Sequence, residues 1–298
     1  MRVFVTGATG FVGSAVVQEL LRAGHQVLGL ARSDAAAQAL TDVGAGVHRG
    51  SIEDPESLTS GAEQADGVIH MAFIHDFSRF EENCEKDRQA IGVLGAALKG
   101  TNKPLIVTSG TATARVNTGR LVTENDLADP HGQNFRVASD LAVAKLAEQG
   151  VRVSLVRLPP SVHGEGDHGF VPLIIAMARE KGESAYPGDG ENCWPAVHRF
   201  DAARVFVLAL EKGAQNAIYH ASAEEGVPFR EIATMIGKHL NLPVVSKNAQ
   251  EAAAHFGWFT HFASLNNPTS SQITRDVLGW KPEQQDLLTD IDTAGYFK

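Results

Sequence analysis

The sequence is poor in cysteine, in basic clusters and in long apolar runs, and each scarcity excludes a class of protein. Its 298 residues include two cysteines, Cys84 and Cys193, which lie far apart without metal-ligand spacing, a pattern typical of a reducing compartment. The formal net charge is −9, and no Lys/Arg cluster offers the basic face that a nucleic acid requires. No apolar run reaches the ~18 residues of a membrane span. We therefore expect neither a nucleic acid nor a membrane as partner.

Targeting signals and metal-ligand patterns are scarce as well. A strand pattern begins at Arg2 and leaves no room for a signal peptide, so we expect a cytoplasmic location. No Glu/His helical pair and no Cys/His set has the spacing of metal ligands, so we expect no metal site.

The first half of the chain alternates short β-rich runs with helical stretches. The runs are almost continuously apolar, which is typical of parallel strands covered on both faces. Such alternation predicts an α/β fold with a Rossmann-type, doubly wound parallel sheet. The predicted strands are Val3–Thr6, Gln26–Ala31, Gly46–Arg49, Gly67–Met71, Leu105–Thr108 and Val151–Leu158. The predicted helices are Gly13–Ala23, one that starts at Asp54-Pro55, Glu81–Leu98 and Val137–Gln149.

The regular alternation of strands and helices stops after Leu158, where Pro159-Pro160 and the glycine-rich loop Gly164–Gly169 follow. We predict a dinucleotide-binding domain over residues 1–158 and a smaller C-terminal α/β cap, mainly for substrate, over residues 159–298. The boundary is soft, and we expect the segments of the two to interleave. The predicted cap elements are helices Phe170–Lys181, Ala202–Lys212, Phe229–Leu240 and Gln284–Tyr296, strands Ile218–Ala221 and Val244–Ser246, and a tail segment Thr274–Leu278.

A glycine-rich loop joins the first predicted strand to the first amphipathic helix. Its three glycines permit a tight turn, close approach of a pyrophosphate, and close contact between helix and strand. The N-terminus of the helix adds unpaired N–H groups and a positive dipole end. The loop predicts dinucleotide binding by Gly7, Thr9, Gly10, Phe11, Val12 and Gly13.

The residues that follow the second strand predict which dinucleotide binds. The residue that recognises the ribose is expected about 20 positions after the glycine loop. An acidic residue there bonds the 2′-hydroxyl of NAD, whereas an arginine pairs with the 2′-phosphate of NADP. Because Arg32 and Ser33 stand there, we expect NADP(H) to be preferred, with NAD(H) possible. The alternative is a solvated Arg32 with Asp34 turned inward to hold NAD.

The order of these segments resembles the extended short-chain dehydrogenase/reductase superfamily, in its NAD-dependent epimerase/dehydratase group. The resemblance covers essentially the whole chain and continues through Gly50–Leu58, Val68–Ala72, Thr108-Ser109, Arg157–Gly164 and Leu278–Pro282. It implies that Ile52 borders the adenine, that Ala72 borders the cofactor ribose, and that Pro160–Val162 borders the nicotinamide amide. Further residues assigned to the cofactor site with this resemblance are Ser51, which stands where relatives usually carry Asp, Met71, Phe73, Thr108, Pro159, Pro160, Ser161 and Val162.

One predicted helix departs from the superfamily pattern. The superfamily uses a Tyr and a Lys four residues later on this helix, and aligned positions here carry Arg136 and Asp140. The three tyrosines of the chain, Tyr186, Tyr219 and Tyr296, are distant in sequence. Arginine cannot deprotonate, so Arg136 cannot relay a proton but can stabilise charge. The resemblance leaves Asp140 free to accept hydrogen bonds from ribose hydroxyls. The chain thus resembles atypical members that lack the Tyr–Lys pair.

Three residues are candidates for catalysis: Ser109, His163 and Arg136. Ser109 matches the third catalytic position of the superfamily, although its hydroxyl could instead satisfy backbone groups at the end of the strand. His163 belongs to the loop that the resemblance places beside the nicotinamide, where an imidazole could transfer a proton or simply pack. We interpret the polar stretch 117–134 as a lid over the site; the alternative is a disordered loop at the surface.

These observations lead to one main functional hypothesis and two alternatives. We expect an NAD(P)H-dependent oxidoreductase, a monomer or homodimer, that reduces a small or medium organic carbonyl without the usual catalytic Tyr. The first alternative is a non-catalytic NADP(H)-binding redox sensor or regulator. The second is a nucleotide-sugar epimerase or dehydratase.

Overall fold

The computed structural model describes residues 1–114, 120–132, 134–293 and 295–298. The strands are β1 (Arg2–Thr6), β2 (Gln26–Ala31), β3 (Gly46–Arg49), β4 (Gly67–His70), β5 (Leu105–Gly110), β6 (Val153–Leu158), β7 (Ser161–His163), β8 (Ser184–Pro187), β9 (Cys193–His198), β10 (Ile218–His220), β11 (Glu224–Pro228) and β12 (Val244–Lys247). The α-helices are α1 (Phe11–Arg22), α2 (Asp34–Asp42), α3 (Pro55–Glu63), α4 (Phe80–Leu98), α5 (Val137–Glu148), α6 (Phe170–Lys181), α7 (Arg199–Lys212), α8 (Phe229–Leu240), α9 (Ala249–Phe256), α10 (Thr260–Ala263), α11 (Gln272–Leu278) and α12 (Leu287–Thr293).

A seven-stranded parallel sheet forms the centre of the molecule, in the order β10-β6-β5-β4-β1-β2-β3. Apolar side chains cover both of its faces. One core lies between the sheet and helices α1 and α7, and the other lies between the sheet and helices α3, α4 and α5. This arrangement confirms the predicted doubly wound fold. In the described ranges, no helix is both long enough and apolar enough to cross a membrane.

The second half of the chain contributes to the central sheet and also forms a separate layer. Strand β10 pairs with β6, and α7 packs against α1, so residues beyond 158 complete the central sheet and one of its helix layers. The small sheets β11-β9-β7 and β12-β8 form the remainder, around a third core that contains Trp194 and Phe229. Strand β7 follows β6 directly and pairs with β9, so it connects the central sheet to this layer.

Most predicted elements are present, and the differences have local causes. Helix α3 begins as expected, with Asp54 accepting from the backbone N–H groups of Glu56 and Ser57. The last predicted helix is too long at both ends: α12 begins only at Leu287, where the Asp286 carboxylate caps it by accepting from the backbone N–H of Thr289 at 2.8 Å. Helix α2 was not predicted, since it buries only one of its residues.

The predicted lid over 117–134 lies partly outside the described residues. Its described part comprises residues 120–132 and 134, and several of these residues are hydrogen-bonded to the body of the protein, whereas the role of a lid stays a prediction. The backbone N–H of Val122 donates to the Pro268 carbonyl at 2.8 Å. Thr274 Oγ1 donates to Glu124 Oε1 at 2.7 Å, and Arg157 Nη1 donates to the Asp126 carbonyl at the same distance.

Candidate functional site

The carboxyl edge of the central sheet brings together segments that are far apart in sequence. Parallel strands end at the same edge, and ligands of open α/β sheets bind in the crevice there. The glycine loop follows β1, Arg32 follows β2, Met71–Phe73 follows β4, and Ser109 lies at the end of β5. The sequence prediction that these residues share one site is therefore geometrically consistent.

The backbone of the glycine loop is packed so closely that a side chain at Gly7 or Gly13 would clash with it. Gly7 has a φ of +69°, and a Cβ there would lie 2.7 Å from the backbone nitrogen of Ala72. A Cβ on Gly13 would lie 1.9 Å from the Gly7 carbonyl oxygen. Helix α1 starts without a side-chain cap at Gly10 and carries no acidic residue in its first turn. Its first N–H groups are therefore left for an external acceptor.

The part of this edge that follows β2 and β3 carries polar side chains. Arg32 and Ser33 are exposed, and the Ser33 hydroxyl caps α2 by accepting from the backbone N–H of Ala36 at 3.2 Å. Asp34 does not turn inward, because its exposed carboxylate pairs with Arg49 at the end of β3. The Ser51 hydroxyl accepts from the backbone N–H of Glu53 at 3.0 Å, while Ile52 packs partly against the core.

A buried chain of hydrogen bonds runs from the first strand to α4. Thr6 Oγ1 accepts from the backbone N–H groups of Met71 at 3.1 Å and Ala72 at 3.2 Å. Because both of its lone pairs are used, its hydroxyl proton goes to His70 Nδ1 at 2.8 Å. His70 is thereby fixed in the Nε2–H tautomer and donates to Asp87 Oδ1 at 3.1 Å.

Asp87 ends this chain and pairs with Arg136, the residue at the position where the resemblance places tyrosine. Arg136 Nη1 lies 2.5 Å from Asp87 Oδ2, and Nη2 donates to the Thr108 carbonyl at 3.0 Å. The guanidinium also stacks on the Phe73 ring, at 4.3 Å from its centroid. Burial opposes the charge of Asp87, yet Arg136 and the bond from His70 hold the pKa of this carboxyl well below its usual range.

Asp140 is engaged by donors from the protein itself. Arg157, fully buried, donates to Oδ2 through Nη2 at 2.7 Å and through Nε at 3.1 Å. Thr113 Oγ1 lies 3.0 Å from Oδ2, and Ser109 Oγ donates to Oδ1. The predicted ribose contact of Asp140 therefore does not fit, because these donors occupy most of a carboxylate that is 6% exposed. The Ser109 hydroxyl proton is likewise committed to Asp140 and does not face a substrate carbonyl.

The segment predicted beside the nicotinamide forms strand β7. Ser161 is buried, and its Oγ has no hydrogen-bond partner among the described residues. His163 is fully buried and donates through Nδ1 to Asp290 Oδ2 at 2.8 Å, while Nε2 lies 3.9 Å from Glu224 Oε2. The proposed proton transfer by His163 does not fit this enclosure, because the ring has no contact with solvent.

Two parts of this region were not found from the sequence. Tyr296, at the C-terminus, accepts from the backbone N–H of Gly164 at 3.2 Å and donates to Asp167 Oδ2 at 2.9 Å. Burial and the Asp167 charge raise the pKa of the Tyr296 hydroxyl far above its usual value, so this tyrosine is no ready acid. The Phe77 ring stacks on Trp258, with ring centroids 5.0 Å apart. Only the clustering of aromatics in residues 73–80 and 256–262 hinted at that contact.

The family model of NAD dependent epimerases and dehydratases matches residues 3–222. The chain belongs to this family. An uncharacterized protein of Schizosaccharomyces pombe is 52% identical over 297 residues, which span both chains completely. A 2-alkyl-3-oxoalkanoate reductase of Stenotrophomonas maltophilia is 28% identical, over 83% of this chain and 78% of that protein.

The solved structures extend the family likeness to the fold. A dTDP-glucose 4,6-dehydratase of Streptomyces venezuelae, DesIV, solved with NAD and TYD bound, has a TM-score of 0.79. It is 21% identical in sequence, and the match covers 100% of this chain and 97% of DesIV. Across the described ranges, no group of three or more His, Cys, Asp or Glu side chains is arranged to hold a metal ion.

Proposed function

We propose that this chain is an NADP(H)-dependent oxidoreductase that reduces a small or medium organic carbonyl without a tyrosine as proton donor. The uncapped N-terminus of α1, beside a loop that excludes side chains at Gly7 and Gly13, carries the dinucleotide part of the proposal. The unpartnered Ser161 hydroxyl fits the polar amide of a nicotinamide. Bound there, the dinucleotide would supply a hydride, and the protein would bind and orient it.

The charges at the end of β2 favour NADP(H) over NAD(H). Arg32 is exposed and forms no ion pair within the described chain. Asp34, the residue that would hold the ribose of NAD, pairs instead with Arg49. A 2′-phosphate would find an unopposed guanidinium at this position, and such charge-assisted contacts are the stronger ones.

The segment after β4, residues 71–80, forms a wall with aromatic side chains and favours a substrate with apolar or aromatic groups. Phe77 stacks on Trp258, whose side chain is 55% exposed. The neighbouring cations Arg79 and Arg136 pair with Glu82 and Asp87, which leaves less positive charge for a sugar diphosphate. The reductase relative gives a precedent in this family for a carbonyl substrate.

We assign proton transfer to His75 in place of His163. His75 is exposed in the same wall, with its ring centroid 5.1 Å from that of Phe73. Partial burial and the nearby Arg136 lower its pKa. Carbonyl reduction consumes a proton, so turnover should rise as the pH falls toward this lowered pKa.

A non-catalytic NADP(H) sensor is the second candidate. The commitment of the Ser109 proton and of Asp140 to internal partners favours it, since these groups are then not presented to a substrate. A sensor must bind NADP+ and NADPH with different affinities, because equal affinity shifts no equilibrium.

Binding isotherms and turnover assays test the proposal together. The parent should bind NADPH more tightly than NADH, and Arg32→Asp should erase that gap. Arg22→Asp makes the same charge change at the far end of α1 and should leave the gap intact. Equal affinities of the parent for both cofactors would contradict the NADP preference. A panel of aliphatic and aromatic ketones, followed by NADPH absorbance, separates enzyme from sensor, and His75→Asn should slow any turnover about 10²-fold.

A further inference from the structure

Arg199, the first residue of α7, lies across the first turn of α1. Its Nη2 donates to Ser14 Oγ at 2.8 Å, and its guanidinium carbon lies 4.8 Å from the centroid of the Phe11 ring. Its Nη1 donates to the Glu165 carbonyl at 3.1 Å, which ties the loop after β7 to the same place. The guanidinium therefore stands beside the glycine loop, at the end of α1 where N–H groups are free.

The charge of Arg199 has no counter-charge within ion-pair distance in the described chain. Its Nε is buried and has no hydrogen-bond partner there. Burial lowers the pKa of Arg199, and the nearby Glu165 offsets this only in part. Arg204, further along α7, also reaches α1, but it pairs with Glu19 at 2.8 Å. Two arginines thus join the same helices, and only one of them is neutralised.

This placement is electrostatically unfavourable without a ligand. The N-terminus of a helix carries a positive partial charge, and α1 has no acidic residue in its first turn to offset it. A half-buried guanidinium beside that positive end adds a second charge of the same sign. An anion between them would satisfy both the helix end and the orphaned donor.

The packing around Arg199 keeps the guanidinium in this position. A Cβ on Gly164, which has a φ of +135°, would lie 3.1 Å from Arg199 Cγ and 2.9 Å from His198 Nε2. The ring of His168, in the same loop, meets Phe11 edge-on with centroids 5.7 Å apart. The loop and the arginine therefore cover the start of α1 as one unit.

We propose that Arg199 binds the pyrophosphate of the dinucleotide and supplies the side-chain cation that the glycine loop lacks. This inference rests on the proposed dinucleotide function. It differs from the role of Arg32, because the pyrophosphate is common to NADP(H) and NAD(H). Loss of Arg199 should weaken both cofactors by the same factor.

Calorimetric titrations of NADPH and NADH into the full chain test this. Arg199→Gln keeps a donor for Ser14 without the charge, and it should raise both dissociation constants about 10- to 100-fold. The salt dependence of binding should also become shallower. Arg199→Lys should restore part of the affinity, and Arg204→Gln should change it less than about 2-fold. Melting temperatures identify any variant that fails to fold.

The other outcomes are equally informative. Unchanged affinity of Arg199→Gln for both cofactors would overturn the pyrophosphate role while leaving the dinucleotide function intact. Weaker binding of NADPH alone would also overturn it, since that result would indicate a 2′-phosphate contact. If the folded parent binds neither cofactor, the proposed function fails, and this inference fails with it.

Discussion

The two ends of the sheet edge differ in how their charges are satisfied. At the glycine-loop end, Arg32 and Arg199 have no carboxylate partner within the described chain, and the first turn of α1 has no cap. At the α5 end, Arg136 pairs with Asp87, and Arg157 pairs with Asp140, with both carboxylates buried. We call the glycine-loop end the open end, because its two arginines remain available to an anion. We call the α5 end the closed end, because its charges neutralise one another.

This difference follows from the cost of burying charge. An unpaired charge can persist where solvent or a ligand reaches it, but in the interior it must be paired and hydrogen-bonded. With Arg136 and Asp140 on the helix, the interior supplies Asp87 and Arg157 to neutralise them. Arg136 and Asp140 therefore serve the fold as ion-pair partners of Asp87 and Arg157. Under the proposed function, proton transfer then falls to a neighbour such as His75.

The largest effect on cofactor binding is expected from Gly13→Ala at the open end. The new Cβ would lie 1.9 Å from the Gly7 carbonyl oxygen, so the loop must shift. We expect binding of NADPH and NADH to be lost in titrations, and the free energy of unfolding to fall by about 1–3 kcal/mol. Gly92→Ala, on the exposed face of α4 with nothing within 4 Å, is the matched control and should stabilise by about 0.5–1 kcal/mol. Retained binding by Gly13→Ala would show that the loop is not the cofactor site.

At the closed end, Arg157→Met should lower the free energy of unfolding by about 3–5 kcal/mol, since it leaves the Asp140 charge buried without its cation. Urea denaturation measures this loss. Adding Asp140→Asn should recover part of it, because the amide removes the uncompensated charge and still accepts from Ser109.

Arg204→Met is the control for this comparison. It breaks a surface ion pair with Glu19, in the last turns of α1, and should cost no more than about 1 kcal/mol. If Arg157→Met costs as little as Arg204→Met, the contrast between an open and a closed end does not hold.

The fold was predictable because its determinants are local. The apolar runs and the glycine loop at residues 7–13 identify the parallel sheet, and Asp54-Pro55 marks the start of α3 within a single turn. Strands β7 and β9 were missed, because they pair with each other across more than 30 residues. Their pairing depends on the cap, which no local pattern of residues 161–163 reveals.

The site was less predictable because its partners are distant. Asp87 and Arg136 are 49 residues apart, and Gly164 and Tyr296 are 132 apart. Reading Arg136 and Asp140 alone predicts two charged side chains near the start of α5 but does not identify the residues that neutralise them. The sequence analysis did not single out Asp87, because only the structure shows that its carboxylate is buried.

A smaller effect is expected from pH at the closed end. Burial and the adjacent Arg157 lower the pKa of His220 to about 3. Between that value and the unfolded pKa of about 6.5, the unfolded chain binds the extra proton, so stability falls as the pH falls. We expect His220 to account for a loss of about 2–3 kcal/mol between pH 7 and pH 4.5.

His220→Asn isolates this contribution. The amide can still donate to the Ser270 carbonyl, which His220 Nδ1 reaches at 2.9 Å, but it does not titrate. Urea denaturation at both pH values should give a shallower pH dependence for the variant than for the parent. Parallel curves would mean that His220 takes up equally many protons in the folded and unfolded chains, so that folding does not lower its pKa.

The smallest effect on stability at the closed end is expected from Ser109→Ala, which also tests whether this end retains any chemistry. The substitution removes one donor to Asp140, while Arg157 and Thr113 remain, so the free energy of unfolding should fall by about 1–2 kcal/mol. Thr113→Val removes a hydroxyl from the other oxygen of the same carboxylate and is the matched control. A structural role predicts similar losses of ketone-reduction kcat in the two variants, with unchanged NADPH affinity. A loss about 10²-fold larger in Ser109→Ala would mean that Ser109 turns toward the substrate in the complex. The self-contained arrangement of the α5 end would then describe only the free protein.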